Sequence, residues 1–201
     1  MTKGDRLSMK PGDRDPNRYV GKSKVPTSIK ALAAGGASVA VIYAALISHL
    51  ESSGKVRTKA YLDGAGIWTI CDGLTNIFGR PVNSRDVLTE EQCKQLDMQW
   101  QAQGLVRMRK LVGPEVWDRL TPASQAALAS WCEHNLGITK CSTSSAIREL
   151  KAGRLNEACA AITLWIRDGG KDCRIRENGC LGQVDRRQIE DELCLDSAPK
   201  G

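Results

Sequence analysis

Ala60-Tyr61-Leu62-Asp63-Gly64-Ala65-Gly66-Ile67-Trp68-Thr69-Ile70-Cys71-Asp72-Gly73-Leu74-Thr75 is the stretch on which the reading of this chain turns. Aromatic and β-branched residues flank Asp63-Gly64 and Gly66, the composition of a tight hairpin. Asp63 then occupies the turn, and Thr69 lies on the returning strand. Twelve positions upstream of Asp63 stands Glu51, and no other carboxylate occurs between residues 31 and 62. Taken singly, each residue has a plain structural reading: a turn Asp, a strand Thr, a solvated Glu at a helix end. Their order along the chain has to carry any further meaning.

Immediately before Glu51, residues 31–50 read ALAAGGASVAVIYAALISHL, with no Asp, Glu, Lys or Arg. Twenty residues rising about 1.5 Å each span a hydrocarbon core of ~30 Å. The composition is weak for that task, with seven Ala, Gly35-Gly36 and two Ser. Insertion rests on residues such as Leu32, Val39, Ile42, Leu46 and Ile47, at roughly −0.3 to −0.6 kcal/mol each. A cleaved signal peptide is disfavoured, because no pair of small residues follows the apolar core at −3 and −1. A buried helix of a soluble domain rarely lacks charge for so long. The segment therefore reads as an uncleaved signal anchor, marginal enough to leave the bilayer later.

Charge placement supports that orientation. The 201 residues carry a net charge of +6. Residues 1–30 hold eight Lys or Arg against three Asp, whereas everything after residue 50 holds 21 against 20. The excess flanks the apolar segment, which keeps the N-terminus cytoplasmic, and the near-neutral body argues against a nucleic-acid partner. Residues 1–30 are expected to be a disordered basic cytoplasmic tail, 31–50 the anchor and 51–201 the globular domain.

Within that domain, Thr89 and Gln92 form a capping box ahead of Cys93, Leu96, Trp100, Met108 and Leu111 at helical spacing. Thr121-Pro122 starts a helix that stops at Gly137. Further helices are predicted over 142–150, 156–167 and 184–195, with a turn-rich polar loop at 169–182. The class is α+β: a mainly helical body with a small β-hairpin lobe, preceded by an N-terminal apolar helix. Eight cysteines, all beyond the apolar segment, fit disulfides in an oxidising compartment. Cys173 and Cys180 are the natural local pair; the other connectivities stay open, with room for one or two free thiols. No Cys-x-x-Cys occurs and the only histidines are His49 and His134, so structural zinc, or a zinc-dependent amidase or peptidase, is disfavoured.

Two carboxylates in different environments, one protonated and one ionised, are the usual equipment for cleaving a glycosidic bond. Here a resemblance enters. Tyr61-Leu62-Asp63, Gly66-Ile67-Trp68-Thr69-Ile70, Gly73 and Thr75 resemble the phage lysozymes (endolysins) of glycoside hydrolase family 24. Thr121-Pro122, Asn135-Leu136-Gly137, Gly169-Gly170-Lys171 and Gly182 to Arg187 continue the likeness over roughly residues 45–195. With its weak N-terminal anchor the chain is most similar to their signal-arrest-release branch.

The family spacing is Glu, eight residues, Asp, five residues, Thr. Asp63 and Thr69 keep the second interval; Glu51 and Asp63 are separated by eleven residues, which requires Ser52-Ser53-Gly54 to bulge. Leu74 stands where the family usually has His, and Asp72 adds an acidic group, read as facing solvent with tuning of the site as the alternative. The resemblance implies a lysozyme-like fold and hydrolysis of the bond between N-acetylmuramic acid and N-acetylglucosamine in peptidoglycan. Glu51 would be the general acid, its pKa raised by burial, Asp63 the base or electrostatic stabiliser, and Thr69 the holder of the attacking water. Inversion and retention both remain open. No cofactor or metal is implied. A monomer is expected, inserted in the host inner membrane through residues 31–50 and released to the periplasm when a holin or depolarisation acts. The alternative is an anchored protein that binds peptidoglycan without cutting it.

Overall fold

The computed structural model describes residues 23–51 and 56–195. The expectations for the start of the basic tail and for a bulge at 52–54 fall outside the described residues. The apolar stretch does not form one span. It divides at Gly35-Gly36 into α1 (Thr27–Ala34) and α2 (Val39–Glu51). Gly36 has φ +73°, and the Ala37 N–H donates to the Leu32 carbonyl at 3.0 Å. This is a helix stop that needs a left-handed residue, which glycine supplies without strain. Ile42, Tyr43, Leu46 and Ile47 of α2 are fully buried, one stripe at helical spacing that packs on α5 (Pro122–Ala129) and α3 (Glu90–Val112). No helix among the described residues is long and apolar enough to cross a membrane. Ahead of α1, Ser23 and Lys24 fasten to Glu192 and Asp185 of α9 (Leu181–Leu195).

The predicted hairpin forms as β1 (Arg57–Leu62) and β2 (Trp68–Cys71), antiparallel, with Tyr61 opposite Thr69 and Leu62 opposite Trp68. A second, unpredicted hairpin of β3 (Asn76–Ile77) and β4 (Arg80–Pro81) follows. Ile70, Leu74, Ile77, Val82 and Leu88 give this lobe its own small core. α3 starts at the expected capping box: Thr89 Oγ1 accepts from the Gln92 N–H at 3.1 Å, and Gln92 Oε1 accepts from the Thr89 N–H at 2.9 Å. The helix joins the lobes, and a Cys71–Cys93 disulfide staples β2 to its first turn.

In the helical body, Thr121 caps α5, which runs into a π-helical turn, Ser130–Leu136, ending at Gly137 as expected. The short α4 (Pro114–Trp117) and α6 (Ile138–Cys141) were not anticipated. α7 (Ser145–Lys151) begins at its Ser144 cap, three residues beyond the predicted start. α8 (Leu155–Ile162) ends short of Arg167, because Arg167-Asp168 pairs as β5 with Lys171-Asp172 as β6 around Gly169-Gly170. All eight cysteines are paired: 71–93, 132–141, 159–194 and 173–180. Cys173–Cys180 is the expected pair; the room left for free thiols is not used. The α+β class, with a helical body and a small hairpin lobe, is borne out.

Candidate active site

Asp63 is fixed by its own turn. Its Oδ1 accepts from the Ala65 and Ile67 N–H groups, both at 2.9 Å, and Gly66 at φ +77° lets the chain reverse. Oδ2 is left toward the Thr69 hydroxyl at 3.5 Å, which also lies 3.0 Å from the Ile67 carbonyl. Thr69 is buried on β2, its register set by Tyr61 across the ladder. The hairpin thus presents an oriented carboxylate beside a held hydroxyl, two of the three residues expected from the sequence.

Glu51, the third, is the last residue of α2, and its side chain is 29 % exposed. Its Oε1 lies 2.6 Å from Arg186 Nη1 and 3.1 Å from His134 Nε2. Behind Arg186 stands a buried ionic chain: Arg186 donates to Glu190 at 3.2 Å, Ser130 to the same carboxylate at 2.6 Å, and Arg187 pairs with it at 2.9 Å. The π turn carries His134, and Trp100 of α3 meets its ring edge-on at 5.1 Å. A helix with five-residue hydrogen bonding is a common device for redirecting a side chain at a functional position.

The charge state of Glu51 is the reverse of the one expected. Burial does push its carboxyl upward, but the hydrogen bond from His134 and the charge of Arg186 together outweigh it, leaving the pKa lowered to about 2. Asp72 is also misread: it is buried, and its backbone N–H bonds Asp97 of α3. Burial first, and then the Asp72 charge, push Asp97 up to about 7. Tyr61 of β1 feels the charges of both carboxylates. Burial raises its hydroxyl and Arg57 lowers it, and the charges of Glu51, Asp63 and Asp72 all raise it further. Beyond His134, a groove of about 370 Å³ runs between β3–β4 and α3, lined by Phe78, Trp100, Gln103 and Arg107 among others. Among the described residues no group of His, Cys, Asp and Glu is arranged to hold a metal.

A family model described as phage lysozyme matches residues 51–190, a span that begins at Glu51 itself. The chain belongs to the phage lysozyme family. It is 40 % identical to the SAR-endolysin of Escherichia phage 933W over 166 residues, covering 83 % of this chain and 90 % of that one. A probable prophage lysozyme of Escherichia coli K12 is 39 % identical over the same shares. Among solved structures, the endolysin of Escherichia coli O157:H7 phage FAHEc1 superposes with a TM-score of 0.63 at 28 % identity, covering 78 % of this chain and 92 % of that one. The active form of the P1 phage endolysin Lyz shares the fold, with a TM-score of 0.61 at 18 % identity over 90 % of this chain and all of that one. Within this lysozyme family member, sequence reasoning missed His134, Arg186 and Glu190. The legible trace was Arg186-Arg187 with Glu190 one turn on, ionic residues placed on the inward face of an otherwise apolar stripe.

Proposed function

We propose that this chain is a peptidoglycan-lysing phage endolysin that hydrolyses the β-1,4 bond between N-acetylmuramic acid and N-acetylglucosamine. What supports the reading is the presence of both an oriented Asp63–Thr69 unit on the hairpin and a Glu51 gripped by Arg186 on the helical body, in a chain of this family. Glu51 serves as the general acid to the bridging oxygen. Asp63 activates the attacking water or stabilises the positive charge that develops at the sugar, and Thr69 holds that water with its hydroxyl. Phe78, Trp100 and the amide side chains of the groove supply the stacking faces and hydrogen bonds that a saccharide needs.

Residues 31–50 act as a releasable anchor, with the N-terminus in the cytoplasm. The arrangement with α2 in the core is the released, periplasmic monomer, reached when a holin or depolarisation frees the segment. Purified murein incubated with the full chain should yield new reducing ends. Glu51→Gln should lower that release by 10³-fold or more while leaving the melting temperature within a few degrees. Murein co-sedimentation without reducing ends, or full activity in Glu51→Gln, would remove the reading.

A further inference from the structure

A general acid must hold a proton before it can give one, yet Glu51 is held as a carboxylate by two neighbours that face its Oε1, the Arg186 guanidinium and the His134 ring. One of them, Arg186, cannot give a proton away under working conditions. The other is an imidazole. His134 is 11 % exposed in its side chain, its Nε2 faces Glu51 Oε1 at 3.1 Å, and Trp100 bars the ring from swinging out. Its Nδ1 is buried and meets no hydrogen-bonding protein group among the described residues, so the ring's directional contact is the one with Glu51.

We propose that His134 is a positioning residue that shares one exchangeable proton with Glu51, so that the pair sets the pH range over which the acid acts. The inference rests on the lysozyme reading. In the resting form the proton lies on Nε2, and carboxylate and imidazolium attract each other. The working form is its tautomer, with the proton on Oε1 and a neutral ring. In a direct displacement, that proton passes to the bridging oxygen as the C1–O bond breaks and its electron pair goes to oxygen. Hydroxide from the attacking water forms the new bond to C1, and the water's second proton goes to Asp63. Glu51 is left ionised and His134 neutral; the proton on Asp63 returns to solvent, and solvent reloads the ring.

The charged and titratable neighbours fit this exchange. Arg186, held in turn by Glu190, keeps Glu51 ionised at rest and stays fixed throughout. Arg107 of α3 is occupied by Glu133, the residue before His134. Tyr43 of α2 is raised far out of range, by burial first and by Glu133 next, and does not compete. Lys140 of α6 lies over Trp165, and α5 contributes no charge. A proton-sharing pair titrates as a unit, so the alkaline limb of its pH profile belongs to both groups.

The test is the pH dependence of kcat/KM on purified murein for the wild type and His134→Gln, read with the imidazole titrations by ¹⁵N NMR. Glutamine still donates to Glu51 but carries no proton to share. The alkaline limb should therefore move to lower pH by at least about two units, the ordinary gap between an imidazole and a carboxylate. His134→Phe should lose the limb and most activity. In Glu51→Gln the ¹⁵N signals of the His134 ring should change as its counter-charge goes, while those of His49, the only other histidine, stay put. An unmoved limb in a folded His134→Gln overturns the proposal. Coupled titration in a chain that never yields reducing ends removes the lysozyme reading and leaves the pair standing.

Discussion

At the scale of single residues, the site depends on how each carboxyl is treated by its surroundings. Asp97 shows this outside the proposed chemistry. Raised to about 7 by burial and by Asp72, it is favoured in its protonated form within the fold. Its contribution to stability is therefore complete below the ordinary carboxylate range and is lost as pH climbs through about 7. Asp97→Asn keeps an acceptor for the Asp72 N–H without the charge. It should raise stability at pH 8 by about 1–3 kcal/mol, with the gain vanishing below pH ~4. Thermal melts at the two pH values decide this. Asp63 and Thr69 were readable from the chain because turn chemistry and strand register act over a few residues. His134 and Arg186 were not, because the latter meets Glu51 across 135 positions. Asp72 was misread for a related reason: the Cys71–Cys93 bond that draws it under α3 is one of many pairings that eight cysteines allow.

At the scale of elements, α2 holds the most consequence. Its apolar residues would gain a few tenths of a kcal/mol each at the centre of a bilayer. Each fully buried aliphatic side chain in the protein core gains about 1.5–3 kcal/mol. Ile42, Leu46 and Ile47 thus hold α2 in the core against exposure to water. Leu46→Ala should cost about 2–5 kcal/mol in the folded protein, read as a lowered urea midpoint. A loss of stability under about 1 kcal/mol would show that α2 does not form the core. The apolar stretch was legible as a unit because it lacks charge. Its division at Gly35-Gly36 was signalled by the glycine pair, but a bilayer reading gives that pair no reason to stop a helix. The hairpins β3–β4 and β5–β6, two residues per strand, are below what alternating patterns reveal.

For the whole molecule, four disulfides add covalent ties to two apolar cores. Cys159–Cys194 closes a 35-residue interval and ties α8 to α9, which by loop entropy alone stabilises by about 3–4 kcal/mol. Cys132–Cys141 braces the π turn two residues before His134. Reductant should accordingly lower the melting temperature by well over 10 °C, given roughly 2–4 °C per kcal/mol at this size. Full thermal resistance in reductant would show that the bonds are dispensable. Every cysteine follows the proposed anchor in the chain, so under that proposal oxidation and exit from the cytoplasm would coincide.

One helix both plugs the centre of the bundle, through Ile42, Tyr43, Leu46 and Ile47, and ends on Glu51. Removing it therefore takes away the proposed proton donor and the means of collapse in the same stroke. There is no intact enzyme with merely an empty acid seat. Chains trimmed to begin after residue 51 should behave as unfolded, protease-sensitive polypeptides rather than as folded but inactive ones, and the proposed release would have no halfway position.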